Sequence, residues 1–239
     1  MKPRRRAYPC KEYSMTWTES QKSEMLDKLQ GYEVYFTPAD LTSGLELPLQ
    51  WRDFGPADGE KSCVPAEWVK YADLLPWVCA WIEQCVLGTV IAVKDKPYLM
   101  YVYRDHGLVS FYRGGVPLGA SDLQLNEYAH LPEKLKEFYR DLHDGFGFYI
   151  GCTMGPSQVE DFTPIKDLCD EDYSEFPDMV SFFSSGAGDY LALGRKAWEG
   201  DFFIWWHEKP DAPVRKDNLW GIMDTWMSIF LEDSEMNGC

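Results

Sequence analysis

The stretch FFSSGAGDYLALG, residues 182–194, combines closely spaced glycines with an acid, a pattern that can cradle a phosphate or position a catalytic carboxylate. A dinucleotide-binding loop would have a third glycine where Leu191 stands, and it would open a helix instead of a strand such as DYLAL. Gly186 and Gly188 are typical of a hairpin turn that needs positive φ, and an acid at the position of Asp189 commonly accepts hydrogen bonds from nearby backbone amides. We therefore predict that these three residues shape the fold.

The other residues that could do chemistry are not arranged in a known catalytic or metal-binding motif. The chain has four histidines, His106, His130, His143 and His207. They form neither an H-E-x-x-H motif nor a pair four residues apart, and the chain has no P-loop and no G-x-S-x-G nucleophile motif. We therefore expect a protein that is not an enzyme and that uses no metal or cofactor. The sequence leaves open a Ser, His and Asp assembled from distant positions.

An acidic segment between Ser157 and Asp178 is the most distinctive run of charge. It contains eight acids and the single basic residue Lys166. Such runs are usually solvated loops, but they can also attract a basic protein surface and speed its capture. Calcium is not favoured, because the spacing and the glycine of an EF-hand loop are missing. We predict that a basic partner binds the later acids of this segment, namely Asp167, Asp170, Glu171, Asp172, Glu175 and Asp178.

Two adjacent tryptophans, Trp205 and Trp206, lie in a run that is typical of a strand. Neighbouring side chains of a strand point to opposite faces, so one of the two indoles faces outward unless another layer covers it. An exposed tryptophan near acids is a good anchor for a protein partner, whereas a fully covered sheet is the structural alternative. We add Trp206 to the predicted partner-binding residues.

The overall composition favours a folded protein with a basic partner. The 239 residues are 45% hydrophobic and 15% aromatic, which is ample material for a core. The formal net charge of −16 disfavours direct binding of nucleic acid or of an anionic membrane. No apolar run follows the basic N-terminus, and the apolar window 74–93 is interrupted by Pro76 and Glu83, so we expect a cytoplasmic protein without a membrane span. The seven cysteines form no C-x-x-C pair, which favours reduced thiols.

The elements that must position these residues read as an α+β fold of antiparallel meanders flanked by helices. Thr18 and Gln21 predict a capping box for a helix over 19–30, and 34–36 is the expected strand before the first meander. Residues 65–86 read as two short helices with Trp77 and Trp81 on an apolar face, and 131–145 reads as one helix. The two meanders are predicted over 89–113 and over 179–208.

The C-terminal residues predict a final helix with Asp217 as its N-cap. Its expected apolar stripe comprises Leu219, Ile222, Met223, Trp226, Ile229 and Phe230. Gly, Pro, Ser and Asp are frequent between Gly114 and Asn126. This composition is typical of a boundary between an N-terminal α+β subdomain, residues 1–126, and a second α+β domain, residues 127–239, and equally of an internal loop. Each half is predicted to consist of a helix followed by a meander, which is weak evidence for an internal repeat.

The C-terminal half resembles the SUKH superfamily, which includes fungal regulators of cell-wall synthesis and many bacterial immunity proteins. Leu131 and Pro132 resemble the start of that family's opening helix, and Asp144 with Gly145 resembles its end. The FFSSGAGDYLAL pair of strands, with Gly188 and Asp189, resembles the family's Gly-Asp turn, and DFFIWWHE with the terminal helix resembles its closing elements. Asp144 stands where an Asn is usual, and residues 1–126 have no clear counterpart in the family.

The resemblance implies an immunity protein that binds and neutralises a cognate bacterial toxin, often a nuclease, delivered by a type VI-like or contact-dependent route. The charge independently suits this, because nuclease domains present basic surfaces for nucleic acid that an acidic protein can cover. The expected state is a monomer or a homodimer. A regulatory scaffold that binds an endogenous partner is the alternative function.

Overall fold

The computed structural model describes residues 16–57, 63–119, 126–148, 154–169 and 176–237. Five α-helices lie in these ranges: α1 (Glu19–Lys28), α2 (Pro76–Cys85), α3 (Asn126–Ala129), α4 (Glu133–Glu137) and α5 (Leu219–Leu231). The strands are β1 (Glu33–Tyr35), β2 (Gly88–Val93), β3 (Pro97–Asp105), β4 (Leu108–Gly114), β5 (Phe146–Phe148), β6 (Met154–Pro156), β7 (Thr163–Pro164), β8 (Met179–Ser185), β9 (Tyr190–Gly194), β10 (Phe202–Trp205) and β11 (Val214–Lys216). Short 3-10 helices, such as Ala66–Tyr71 and Ile165–Leu168, connect them.

The strands form two antiparallel sheets. The first has the order β1-β2-β3-β4-β5, and the second has the order β11-β10-β9-β8-β6, with β7 also paired to β8. Both predicted meanders are present, and the α+β class is confirmed. Strands β5 and β6 lie against each other where the sheets meet. Their backbones are so close that a Cβ on Gly155 would collide with the carbonyl oxygen of Phe146. Only a glycine allows this approach of the two backbones.

Each sheet has an inner face and an outer face. The inner faces share one hydrophobic cluster with α2, α4, α5 and the 3-10 helix Ala66–Tyr71. The outer face of the first sheet packs against α1 through Met25 and Leu29, which contact a group that includes Val90 and Met100. The outer face of the second sheet carries a smaller cluster that includes Ile165, Leu168, Cys169 and Phe176 of the acidic segment. At the start of that segment, Val159 and Phe162 instead belong to the cluster on the inner faces.

Local sequence signals account for the beginning of α1 and, with a correction, for that of α5. The predicted capping box of α1 is present: Thr18 Oγ1 accepts a hydrogen bond from Gln21 N, and Gln21 Oε1 accepts one from Thr18 N. The predicted N-cap of α5 was wrong by one residue. Asn218, and not Asp217, caps this helix by accepting a hydrogen bond from Gly221 N.

Tertiary packing corrects two further predictions about helices. The single helix predicted over 131–145 is instead α4 followed by one π-helical stretch, Phe138–Leu142, which allows Phe138, Tyr139 and Leu142 all to be buried. In α2 the predicted apolar residue Trp77 is 68% exposed, whereas Val78 is fully buried. Helix α2 is therefore rotated relative to the prediction, because its burial is set by its contact with α5.

The proposed division at residues 126 and 127 stays a prediction. Strand β5 lies after this point and pairs with β4, which lies before it. The cluster on the inner faces likewise includes residues from both sides, such as Tyr101 and Phe182. No helix within the described ranges is both long enough and apolar enough to span a membrane.

Candidate functional site: a surface for a protein partner

The GAGD stretch is the turn between β8 and β9. Gly186 has φ +78° and Gly188 has φ +94°, which is the left-handed region that favours glycine. The hydroxyl of Ser184 accepts a hydrogen bond from Gly186 N, and the hydroxyl of Ser185 accepts from Asp189 N. The structure thus forms the predicted hairpin, and its two serines hold the turn.

Asp189 fastens this hairpin to the neighbouring strand. Its Oδ1 accepts hydrogen bonds from His207 N at 3.1 Å and from His207 Nδ1 at 2.8 Å. A Cβ on Gly188 would lie 3.2 Å from His207 Nδ1, so the imidazole packs closely on the turn. Asp189 accepts from a backbone amide, as predicted, but that amide lies past the end of β10 and not in the turn. The sequence alone did not indicate His207 as its partner.

Trp206 stands beside His207 at this corner and is 37% exposed, whereas Trp205 is buried. The prediction that one of the two indoles faces outward is confirmed. The ring of Trp206 lies 6.1 Å from that of Trp226 in α5, and Trp226 lies 5.8 Å from the fully buried Phe183. These rings form an aromatic series from the core to the surface, which holds the exposed indole in place.

The two predicted acids that the structure describes, Asp167 and Asp178, lie elsewhere on the second sheet. Asp167 is exposed in the 3-10 helix Ile165–Leu168, while Asp170, Glu171, Asp172 and Glu175 lie outside the described residues. Asp178 precedes β8 and forms an ion pair of 2.6 Å with Lys196. The hydrogen bond from Lys196 and the nearby charges of Arg195 and Lys166 hold the pKa of Asp178 below its usual range. This carboxylate is therefore partly neutralised by cations of the same chain.

The 3-10 helix Ile165–Leu168, which carries Asp167, and Trp206 lie on opposite faces and at opposite ends of the second sheet. Ile165 and Leu168 of this helix pack on the outer face. Trp206 instead contacts α5, which lies on the inner face. Asp178 is at the start of β8, whereas the GAGD turn is at its end, and seven strand residues span about 20 Å. Among the predicted partner-binding residues that the structure describes, Asp167 and Asp178 are thus separated from Trp206.

His143 takes part in a buried series of hydrogen bonds. Trp68 Nε1 donates to the hydroxyl of Tyr101 at 2.8 Å, and that hydroxyl donates to His143 Nε2 at 2.7 Å. His143 Nδ1 then carries the proton that it donates to the carbonyl oxygen of Gly115 at 3.1 Å. Burial lowers the pKa of His143 to about 3, so the imidazole is neutral. Both ring nitrogens are engaged, which makes this histidine a structural residue.

Asp144 is buried next to His143, where the family resemblance places the end of the opening helix. Its Oδ1 accepts a hydrogen bond from Val159 N at 2.9 Å, which fastens the chain between β6 and β7. Burial raises the pKa of Asp144 to about 6, and the bond from Val159 opposes this rise. The sequence indicated this residue only through the resemblance, and the carboxylate contributes to the fold.

Three comparisons with known proteins complete the description of this α+β protein and of its exposed aromatic corner. No protein-family model matches the chain, and no match was found among curated proteins or among solved structures. Within the described residues, no group of three or more His, Cys, Asp or Glu side chains could hold a metal ion. The corner that carries Trp206 combines an exposed indole with a support from α5.

Proposed function

We propose that the protein is an immunity protein that binds a basic bacterial toxin domain, a nuclease domain being the expected class, in the cytoplasm. The observation that carries this proposal is the exposed Trp206, whose indole packs on Trp226. The chain as a whole has a formal net charge of −16. An aromatic anchor that protein packing holds in place loses little conformational entropy on binding. A strongly acidic chain attracts basic domains over a longer range. The resemblance to SUKH immunity proteins supports the same class of partner.

Neutralisation would follow from covering the surface with which the toxin binds nucleic acid. A nuclease domain uses Lys and Arg side chains to bind phosphates, and an acidic protein competes for the same side chains. The charge speeds the encounter, while the buried aromatic contact slows dissociation. The exposed acids, such as Asp167, would contribute mainly to the rate of encounter, since screened surface ion pairs add little affinity.

The test is a complex with the protein that is encoded beside this gene. We expect the two proteins to copurify, and we expect co-expression to protect cells from the toxicity of that neighbour. A neighbour that neither binds nor harms the cell, together with copurification of an endogenous regulator, would instead support the regulatory scaffold.

The contribution of the acidic segment can be measured separately by reversing its charge. In a variant with Asp170, Glu171 and Asp172 each changed to Lys, we expect the association rate constant to fall about tenfold at low salt. The dependence of this rate on salt should weaken, because electrostatic steering is screened over about 10 Å at 0.1 M ionic strength. An unchanged rate and salt dependence would show that the segment takes no part in capture.

A further inference from the structure

Helix α5 is apolar over more of its circumference than its packing requires. Its thirteen residues, LWGIMDTWMSIFL, contain only three polar side chains: Asp224, Thr225 and Ser228. One stripe, with a spacing of four residues, is buried against the rest of the protein: Leu219, Met223, Met227 and Leu231. Asp224 is buried as well, so the solvent side of the helix has only the hydroxyls of Thr225 and Ser228 as polar side-chain groups, and both donate to backbone carbonyls of the helix. A helix on a protein surface usually has a polar face opposite its buried stripe.

A second apolar stripe runs beside the buried one. Ile222, Trp226 and Ile229 follow each other at spacings of four and three, which makes them neighbours on one side of the helix. Ile222 and Trp226 are half-buried, and Ile229 is 60% exposed. Trp206 packs on Trp226 from the adjacent strand. We call these four residues the α5 surface. Contiguous exposed apolar residues of this kind mark interaction sites more often than scattered ones do.

The charges around the α5 surface indicate what can bind there. Six exposed acids lie along the chain before and after it: Glu208, Asp211, Asp217, Glu232, Asp233 and Glu235. Three basic residues lie in the same stretch, Lys209, Arg215 and Lys216, and Arg215 is paired with Asp201 at 2.6 Å. A second copy would bring the same acids and the same net charge of −16 to the contact, which opposes self-association. A basic partner is complementary.

We infer that the α5 surface is the docking site for the basic toxin domain, which inserts an apolar side chain flanked by Lys or Arg between Trp206 and Ile229. This inference rests on the proposed function and assigns its interface. The apolar contact supplies a desolvated centre, and the exposed acids that precede and follow α5 in the chain supply a complementary charge. The exposed indole of Trp206 also attracts a Lys or Arg of the partner through its π face. The 3-10 helix that carries Asp167 packs on the opposite face of the sheet, so Asp167 can steer the partner without touching it.

Two variants and one matched control test this site. Trp206→Ala removes the indole, and Ile229→Lys places a positive charge at an exposed position that should not affect folding. The control is Trp198→Ala, because Trp198 is 39% exposed but packs on Phe203, which belongs to the cluster on the outer face. The equilibrium dissociation constant for a catalytically inactive form of the neighbouring gene's product is measured by titration calorimetry. Thermal unfolding of each variant serves to check its fold.

We expect Trp206→Ala and Ile229→Lys each to weaken binding by about 30-fold, as substitutions at the centre of an interface do, and Trp198→Ala to change it less than threefold. Weakening by Trp198→Ala with no effect of Ile229→Lys would overturn the α5 surface and leave the proposed function in place. A wild-type protein that does not bind the toxin would overturn both. Sedimentation that shows a wild-type dimer, dissociated by Ile229→Lys, would assign this surface to a second copy instead.

Discussion

At the scale of single residues, two buried neighbours titrate in opposite directions. Burial lowers the pKa of His143 to about 3 and raises that of Asp144 to about 6, because burial disfavours the charged form of each. Protonation of His143 therefore opposes folding at low pH, and ionisation of Asp144 opposes it at neutral pH. The two residues should make opposite contributions to the pH dependence of stability, which variants can separate.

Asp144→Asn should stabilise the protein at neutral pH. The folded-state pKa is raised from 3.8 to about 6, so the stability that Asp144 contributes is complete below pH 3.8 and is lost as pH rises through 6. Relative to wild type, the free energy of unfolding of the variant should increase from pH 4 to pH 7 by on the order of 2 kcal/mol. Urea denaturation at several pH values measures this. The exposed Asp161→Asn is the control, and a pH-independent difference for Asp144→Asn would contradict the prediction.

His143→Phe should show the reverse dependence. The pKa of His143 is lowered from 6.5 to about 3, so its contribution to stability is complete above pH 6.5 and decreases as pH falls towards 3. At pH 8 the variant leaves the Tyr101 hydroxyl and the Gly115 carbonyl without their partner, which should cost about 2–4 kcal/mol. This deficit should shrink between pH 6.5 and pH 4.5 in the same urea experiments. A deficit that is constant with pH would mean that His143 titrates normally in the folded protein.

At the scale of elements, helix α2 depends on α5 for its N-terminal cap. Leu75 stands at the N-cap position and has no side-chain oxygen, and Pro76 has no amide hydrogen to satisfy. The next two amides, of Trp77 and Val78, donate to Asp224 at 3.2 and 3.0 Å. The carboxylate of Asp224, 146 residues from Val78 in the chain, thus replaces a local N-cap.

Removing this cap should destabilise the protein strongly. We expect Asp224→Ala to lower the free energy of unfolding by about 2–3 kcal/mol, because the buried amide of Val78 and the part-buried amide of Trp77 lose their acceptor. Asp224→Asn keeps one carbonyl oxygen and should lose less than half of that amount. Urea denaturation at pH 7 gives both values, with the exposed Asp233→Ala as a control. Equal losses for the Ala and Asn variants would show that the carbonyl oxygen does not cap α2.

Two glycines allow the energetic cost of backbone strain to be separated from the cost of a side-chain contact. Gly188 lies in the hairpin of β8 and β9, and Gly200 lies between β9 and β10. Gly188 and Gly200 have similar φ values, +94° and +92°, but only a Cβ on Gly188 meets His207, whereas nothing lies within 4 Å of one on Gly200. Gly200→Ala should cost about 1 kcal/mol from its conformation alone. Gly188→Ala should cost about 1 kcal/mol more and should shift the NMR signals of His207. Equal costs in thermal unfolding would mean that the imidazole moves aside freely.

At the scale of the whole molecule, one hydrophobic cluster joins the inner faces of both sheets. This cluster and the pairing of β4 with β5 cross the proposed boundary at residues 126 and 127. Contacts of this kind favour a single cooperative unit, since neither sheet can lose its partner layer without exposing apolar surface. Net charge acts on the same scale, because it is a property of the summed surface and not of any one element.

The shared cluster predicts one unfolding transition. Urea curves followed by far-ultraviolet circular dichroism and by tryptophan fluorescence should coincide, because both report the same all-or-none event. Two separate transitions would instead support two domains that unfold independently, 1–126 and 127–239. The measurement needs no variant and can be repeated in 0.5 M salt, where the effect of the net charge is screened.

The sequence by itself determined the α+β class, the capping box of α1, both meanders, the positive φ of Gly186 and Gly188 and the outward face of one tryptophan. These features depend on neighbours in the chain, on the alternation of a strand or on the conformational freedom of glycine. Only the tertiary structure decided that Asp224 caps α2, that His207 holds Asp189, and that Trp206 and the helix carrying Asp167 lie on opposite faces. Such pairings join residues distant in sequence, and which face of an element is buried depends on the layer packed against it.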